Sequence, residues 1–263
     1  MQHTAAEHRA EFADQGYTIF QGVLTLQEIE AALPIFDETI TFDTRPPIVT
    51  GDVNQLNGRR QLNSASCEPR LSNFGGHPRV LEAVELLLGR PFRLLRTPIP
   101  CVTFKSPPGD ERFDLGLHVD WPRTPPLEND EPSINGVLHF STVEPQGGGF
   151  TVCPGSHRLV LDNLANPELS RRMFEQDFNN RFPGLSAPQE ICAGAGDLLF
   201  YHAFLVHDRS ENLRQQPRKI LFTHYKPYAD EPARATAKTN SESFHPAHVA
   251  TMDERFRQLC GLE

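Results

Sequence analysis

Apolar and polar positions divide the chain into a largely helical first third and a longer stretch of short strands. Ala5 to Asp14 reads as a helix that stops near Gly16, and Tyr17 to Phe20 as a strand. Thr25 and Glu28 stand at capping-box spacing, where a hydroxyl and a carboxylate satisfy the open amides of a helix start, so a helix is predicted from there toward Thr39, with Pro34 as a point of bending. Residues 40 to 75 are irregular, with turn signals at Pro46-Pro47, Gly51-Asp52, Asn57-Gly58 and Gly75-Gly76. Order returns at Pro78, which suits a first helical position. Val80, Leu81, Val84, Leu87 and Leu88 then form one face, Gly89 is the C-cap, and His77 is expected to cap the start.

From Phe92 onward the period changes. Short apolar runs cover Phe92 to Arg96, Cys101 to Phe104, Leu115 to Asp120, Ile134 to Thr142, Phe150 to Cys153, Glu190 to Cys192, Leu198 to His207 and Arg218 to Tyr225, broken by Pro- and Gly-rich turns. One helix, capped by Asn166 with Pro167 behind it, interrupts them as far as Arg181, and a last one covers Met252 to Cys260. This pattern predicts a mainly β fold with flanking helices, a sandwich or barrel and not a doubly wound sheet. A chain of 263 residues fits one domain: a helical and loop part over 1–91, a strand core over 92–228 and a C-terminal extension over 229–263.

Charge narrows the class. With 25 Lys and Arg against 34 Asp and Glu, the net charge is -9, and no basic run exceeds two residues, which argues against nucleic acid or an anionic membrane as partner. Charged residues interrupt the N-terminal stretch and no segment approaches membrane-spanning length, so the expectation is a cytoplasmic protein, monomer or homodimer. Cys67, Cys101, Cys153, Cys192 and Cys260 are scattered, as reduced thiols are.

One tripeptide carries chemistry. In an extended strand the side chains at i and i+2 share a face, so His118 and Asp120 project into one space with Val119 turned away. An imidazole beside a carboxylate makes two of the three ligands of a 2-His-1-carboxylate iron site; the tripeptide is common, and the site needs a second histidine. His202 and His207 compete for that place, and their odd separation turns them to opposite faces of an unbulged strand. If 210 to 217 is a hairpin loop, a symmetric register sets His207 against Arg218 on one face and His202 against Thr223 on the other. That selects His207 and places beside it a planar guanidinium suited to the far carboxylate of a chelating dicarboxylic acid.

His118-Val119-Asp120, then His207, then Arg218 resembles the Fe(II)/2-oxoglutarate dioxygenases. Gly76 to Val80, Gly147 to Phe150 leading into Pro154-Gly155-Ser156-His157, and Gly196 to His202 are similar to the phytanoyl-CoA dioxygenase family in particular. The resemblance implies a double-stranded β-helix, or cupin-like jelly roll, with iron on His118, Asp120 and His207 and Arg218 binding the distal carboxylate of 2-oxoglutarate. It implies O2-dependent oxidation of a small or medium organic substrate, hydroxylation by default, with succinate and CO2 formed from 2-oxoglutarate. Arg209, where members often carry Ser, and Leu115 and Gly116, where many carry Gln or Asn, depart from the pattern, so secondary cosubstrate contacts are not carried over. The carboxylate at 120 separates the chain from related halogenases, which lack it.

Phe104, Phe113, Trp121 and Tyr201 are candidates for a substrate pocket, Lys105 and Arg112 for meeting an anionic group, and Arg59, Arg60 and Gln61 for contacts from the irregular region. Core packing competes for the aromatics. His224 shares parity with Arg218 and is placed toward the same cavity; His139 on its strand fits the core, a place behind the ligands or the pocket wall, and His157 reads as a loop-shaping residue. The expected substrate is a natural-product intermediate. A cupin-like isomerase or epimerase would share the fold without needing Arg218, and a non-catalytic metal-binding jelly roll would share it without turnover.

Overall fold

A computed structural model describes residues 3–41, 59–62, 67–106, 116–120, 133–168 and 182–262, with only the backbone of 59–61. The first helix, α1 (Ala5–Gln15), starts on a capping box of Thr4 and Glu7 and ends at Gly16, φ 82°. A side chain is excluded there twice, by the left-handed backbone and by the His157 ring a Cβ would strike. β1 (Tyr17–Phe20) follows. α2 (Leu26–Thr39) begins on the predicted Thr25/Glu28 box and continues through Pro34 as one helix. Its Asp37 lies 2.7 Å from Lys219 Nζ, which ties the helix to the sheet.

A short α3 (Pro69–Ser72) leads to α4 (Pro78–Leu88), which buries Val80, Ala83, Val84 and Leu87 and ends on left-handed Gly89. His77 occupies the N-cap position of α4 but makes no side-chain cap bond. Its Nε2 sits 2.9 Å from Glu28 Oε1 instead, joining the starts of α2 and α4. The amide and hydroxyl of Thr25 stabilise the Glu28 carboxylate and pull its pKa down to about 2.

Among the described residues the strands form two antiparallel sheets. The larger has the order β1-β8-β5-β10-β4-β2, with β3 also on β10; the smaller is β7-β6-β9. Their ranges are β2 (Arg59–Gln61), β3 (Phe92–Leu94), β4 (Ile99–Thr103), β5 (Ile134–His139), β6 (Phe150–Val152), β7 (Gln189–Ile191), β8 (Leu198–His202), β9 (His207–Arg209) and β10 (Arg218–Pro227). Alternation gives the large sheet two apolar faces. Leu138, Leu198, Phe200, Leu221 and Tyr225 meet Phe36, Val80 and Val84 of the helices. Val137, Leu199 and Ile220 turn the other way, onto Phe150, Val152 and Ile191 of the small sheet. This is the mainly β, jelly-roll arrangement with flanking helices.

The predicted strand Leu198 to His207 is two strands in different sheets. The chain turns at Ala203–Val206, where Leu205 N–H donates to His202 O at 2.8 Å. Phe204 and Val206 enter a separate cluster with Leu117, Val119, Cys153 and Val160. The symmetric hairpin is thereby corrected: Val152 opposes His207, Thr103 opposes Arg218, and Ile134 opposes His202. Burying Ala203 to Val206 across the gap between the sheets favours this turn over a straight continuation. Of the strand predicted over Leu115 to Asp120, the described residues 116–120 form no regular strand; a single bridge joins His118 to His207. The helix predicted over 166–181 lies outside the described residues beyond Glu168.

The C-terminal part consists of α6 (Glu231–Thr236), α7 (Pro246–Val249) and α8 (Glu254–Cys260), α5 (Ser156–Asn163) having followed β6. Asp253 caps α8 through Phe256 N–H. No helix among the described residues is long and apolar enough to cross a membrane.

Candidate metal centre

Residues 116–120 run along β9 as an extended segment held at three points. Gly116 N–H donates to Asp208 Oδ2 at 2.6 Å. His118 and His207 exchange both backbone hydrogen bonds at 2.9 Å, and Asp120 N–H donates to Ala203 O at 3.0 Å. Leu117 and Val119 are buried in the cluster with Phe204 and Val206, so alternation turns His118 and Asp120 to the opposite side. His207 arrives there from β9, its ring stacked on Phe150 with centroids 4.9 Å apart and tilted against Tyr201 at 4.8 Å.

Ligand atoms of His118, Asp120 and His207 lie within 4.8 Å of one another. Asp120 Oδ1 is 3.8 Å from His118 Nε2 and 3.6 Å from His207 Nε2. Each ring turns its Nδ1 to a backbone carbonyl, Gly116 O at 2.7 Å and Leu205 O at 2.8 Å. A carbonyl only accepts, so Nδ1 carries a proton and Nε2 is the atom turned toward Asp120, the position from which a ring can give its lone pair to a cation. The other carboxylate oxygen, Oδ2, accepts from Tyr201 Oη at 2.6 Å and from Asn135 Nδ2 at 2.7 Å. Three lone-pair donors thus converge with their remaining atoms already hydrogen-bonded. Nitrogen, nitrogen and oxygen donors with fixed partners fit a first-row divalent cation such as iron.

The electrostatic surroundings agree with that donor set. Burial works to raise the Asp120 carboxyl, but the pull of His207, then of His118 and His224, holds it below the usual carboxylate range; 26% of the side chain stays exposed. Burial pushes His207 down to about 4 against the opposing pull of Asp120, so its ring is neutral at pH 7. Burial, then the Asp120 charge, raises the Tyr201 hydroxyl well above its ordinary value, which keeps it a donor.

Arg218 is 2% exposed and shares parity on β10 with Ile220, an interior residue. Its Nη2 lies 3.4 Å from Thr103 Oγ1 on the neighbouring β4. His139, fully buried on β5, is driven down to about 3 by burial and then by the Arg218 charge, so its ring is neutral. A guanidinium at this depth favours an anion, and its planar fork matches a carboxylate.

The other predicted residues separate. His202, pushed down to about 3 by burial and then by His157, accepts from Phe204 N–H and lies near the His157 ring, away from the cluster. Tyr201 belongs to the site by holding Asp120. Phe104 packs against the helix-side core, and Lys105 is exposed. Arg112, Phe113 and Trp121 lie outside the described residues. Arg60 contributes a backbone position opposite Val102 on β4, its side chain being undescribed. A cavity of about 540 Å³ opens on Asp120, Ser133, Asn135 and His224, with Arg96 and Lys238 on its wall. Asn135 and Arg96 were absent from the sequence candidates. A polar Asn inside the apolar run 134–142 was the available signal for the first; none marked the second.

A model of a protein family described as phytanoyl-CoA dioxygenase (PhyH) matches residues 12–220. No curated protein matches. Among solved structures, the fold is similar to the non-heme alpha ketoglutarate dependent epimerase SnoN from nogalamycin biosynthesis (21% identity, 85% of this chain and 83% of that one, TM-score 0.65). It is also similar to the carbocyclase SnoK from the same biosynthesis (18%, 86% and 87%, TM-score 0.62). A third similar structure is HygX from Streptomyces hygroscopicus, solved with nickel, 2-oxoglutarate and hygromycin B bound (19%, 85% and 87%, TM-score 0.56).

Proposed function

Because this chain belongs to the phytanoyl-CoA dioxygenase family, and is therefore an oxygenase dependent on Fe(II), 2-oxoglutarate and O2, we propose that it hydroxylates a small or medium natural-product intermediate. In this reading His118, Asp120 and His207 hold the iron and Arg218 holds the distal carboxylate of 2-oxoglutarate. The observation that carries it is the convergence of two Nε2 lone pairs and Asp120 Oδ1, every remaining polar atom of the three side chains being engaged.

Bound iron with 2-oxoglutarate supplies the oxidising power, O2 being consumed as the 2-oxo acid loses CO2 and becomes succinate. The chain's own part is orientation. Asn135 and Tyr201 hold Oδ2 and direct Oδ1 inward, and the carbonyls of Gly116 and Leu205 fix both rings. Arg218 fixes the far end of the cosubstrate and so its orientation at the metal. The cavity beside Asp120 then receives the substrate within reach of the same centre.

Hygromycin B bound to HygX and nogalamycin RO bound to SnoN support a natural product as substrate class. Enzyme membership leaves no place for a non-catalytic metal-binding jelly roll. The test is turnover of a panel of natural-product intermediates with Fe(II), 2-oxoglutarate and O2, followed by mass spectrometry. Hydroxylation predicts a product with one added oxygen and an equal amount of succinate; an isomer or a product lacking two hydrogens would overturn it in favour of epimerisation or ring closure.

A further inference from the structure

The cavity on the open side of Asp120 has a charge pattern at odds with the whole chain. The protein carries a net charge of -9, yet Arg93, Arg96, Lys226 and Lys238 line this cavity and Asp120 is its one carboxylate among the described lining residues. With a metal bound, that carboxylate is engaged and the wall is cationic. Arg96, between β3 and β4, is exposed and is oriented by the His224 ring, with Nε 3.2 Å from Nδ1 and Nη2 2.6 Å from Nε2. An imidazole bears no negative charge, so this contact aims the guanidinium without neutralising it. Among the described residues no carboxylate pairs with Arg96 or Lys238; the ion pairs formed by arginine and lysine lie elsewhere.

The C-terminal segment is pinned over the same space. Arg93 Nη1 donates to Ala237 O at 2.9 Å and to Thr239 Oγ1 at 3.0 Å, and Thr97 N–H donates to Ser243 O at 3.1 Å. Lys238 stands between the two residues that Arg93 holds. Arg218 lies in the barrel interior and is not on this wall. Among the described residues the site therefore has two separate cationic places, of which the cosubstrate takes one in the reading above.

We propose that the substrate carries an oxyanion, a carboxylate or a phosphate, that is seated on Arg96 with Lys238 adding to its hold. This rests on the reading of the metal centre and of Arg218 given above. Cationic groups gathered at a cleft attract an anion, and a guanidinium that rests on His224 through Nε and one side of Nη2 keeps Nη1 and the second Nη2 hydrogen for two oxygens. A volume of about 540 Å³ suits a compact molecule bearing that group.

The experiment uses the full chain loaded with Ni(II) and saturating 2-oxoglutarate, the loading being measured first by calorimetry. Phenyl phosphate, phenylacetate and the neutral phenylacetamide are then titrated in. The proposal predicts that at least one anion binds tenfold or more tighter than the amide, and the tighter one identifies the oxyanion. Arg96→Gln should weaken that anion about tenfold, while Lys238→Gln weakens it severalfold, both with Ni(II) and 2-oxoglutarate affinities unchanged. Equal binding of anions and amide, or an anion affinity unaltered by Arg96→Gln in a protein that loads normally, overturns the proposal alone. Failure of the unmodified protein to load overturns the metal-centre reading and this proposal with it.

Discussion

Asp120 Oδ2 is held by Tyr201 and Asn135 while Oδ1 faces the two histidines, and substitutions around it separate the holding role from the proposed ligand role. Tyr201→Phe and Asn135→Ala each remove one donor to Oδ2. Each should weaken Fe(II) or Ni(II) binding by about 10- to 100-fold while the fold is kept, as measured by metal titration; unchanged affinity contradicts the role given to Oδ2. Arg218→Ala should raise the 2-oxoglutarate dissociation constant at least tenfold and leave the metal in place. Loss of metal in that variant would place Arg218 at the wrong end of the cosubstrate. Much of this cluster was legible in the sequence, because i, i+2 alternation brings His118 and Asp120 together even in a segment that forms only one bridge. His207 was legible as a choice while the hairpin argument for it fails, since His207 and Arg218 stand in different sheets. Asn135 was marked only by its polarity inside an apolar run, and its role, like that of Arg96, was hidden because the partners, Asp120 and His224, stand 15 and 128 residues away in the chain.

At the scale of elements, signals confined to a few neighbouring residues were the readable ones. The Thr25/Glu28 box, Pro78 at a helix start and Gly89 at its end each fix a boundary through local hydrogen bonds or φ. Thr25→Ala should accordingly cost about 0.5–2 kcal/mol in urea unfolding, and no loss would mean that the cap is idle. Strand partners depend on burial across the two sheets, which is why Leu198 to His207 reads as one strand and folds as two. Gly136 shows the same dependence. On β5 between β8 and β10, a Cβ there would meet Thr223 Oγ1 and approach the Phe200 ring. Gly136→Ala should therefore destabilise the protein by about 1–3 kcal/mol, although alanine suits a strand backbone; a neutral result in the same unfolding assay would show that β5 and β10 yield at little cost.

The whole molecule stores neutral histidines away from water. Burial lowers His139, His202 and His224 to about 3 and His248 to about 4, from an ordinary value near 6.5. As pH falls below 6.5 the unfolded chain takes up protons that the folded chain refuses, so the stability these residues contribute is present above 6.5 and is lost progressively toward about 3. Equilibrium unfolding of the metal-free protein between pH 7 and 4.5 should show stability falling with net proton uptake on unfolding; a flat profile would contradict neutral burial. The same interior surrounds the proposed metal centre of His118, Asp120 and His207. Anaerobic addition of Fe(II) and 2-oxoglutarate, read as a visible charge-transfer band, tests it most directly. The unmodified protein and His202→Ala should give the band and His207→Ala should not; no band in the unmodified protein, or a band that survives His207→Ala and disappears with His202→Ala, contradicts it.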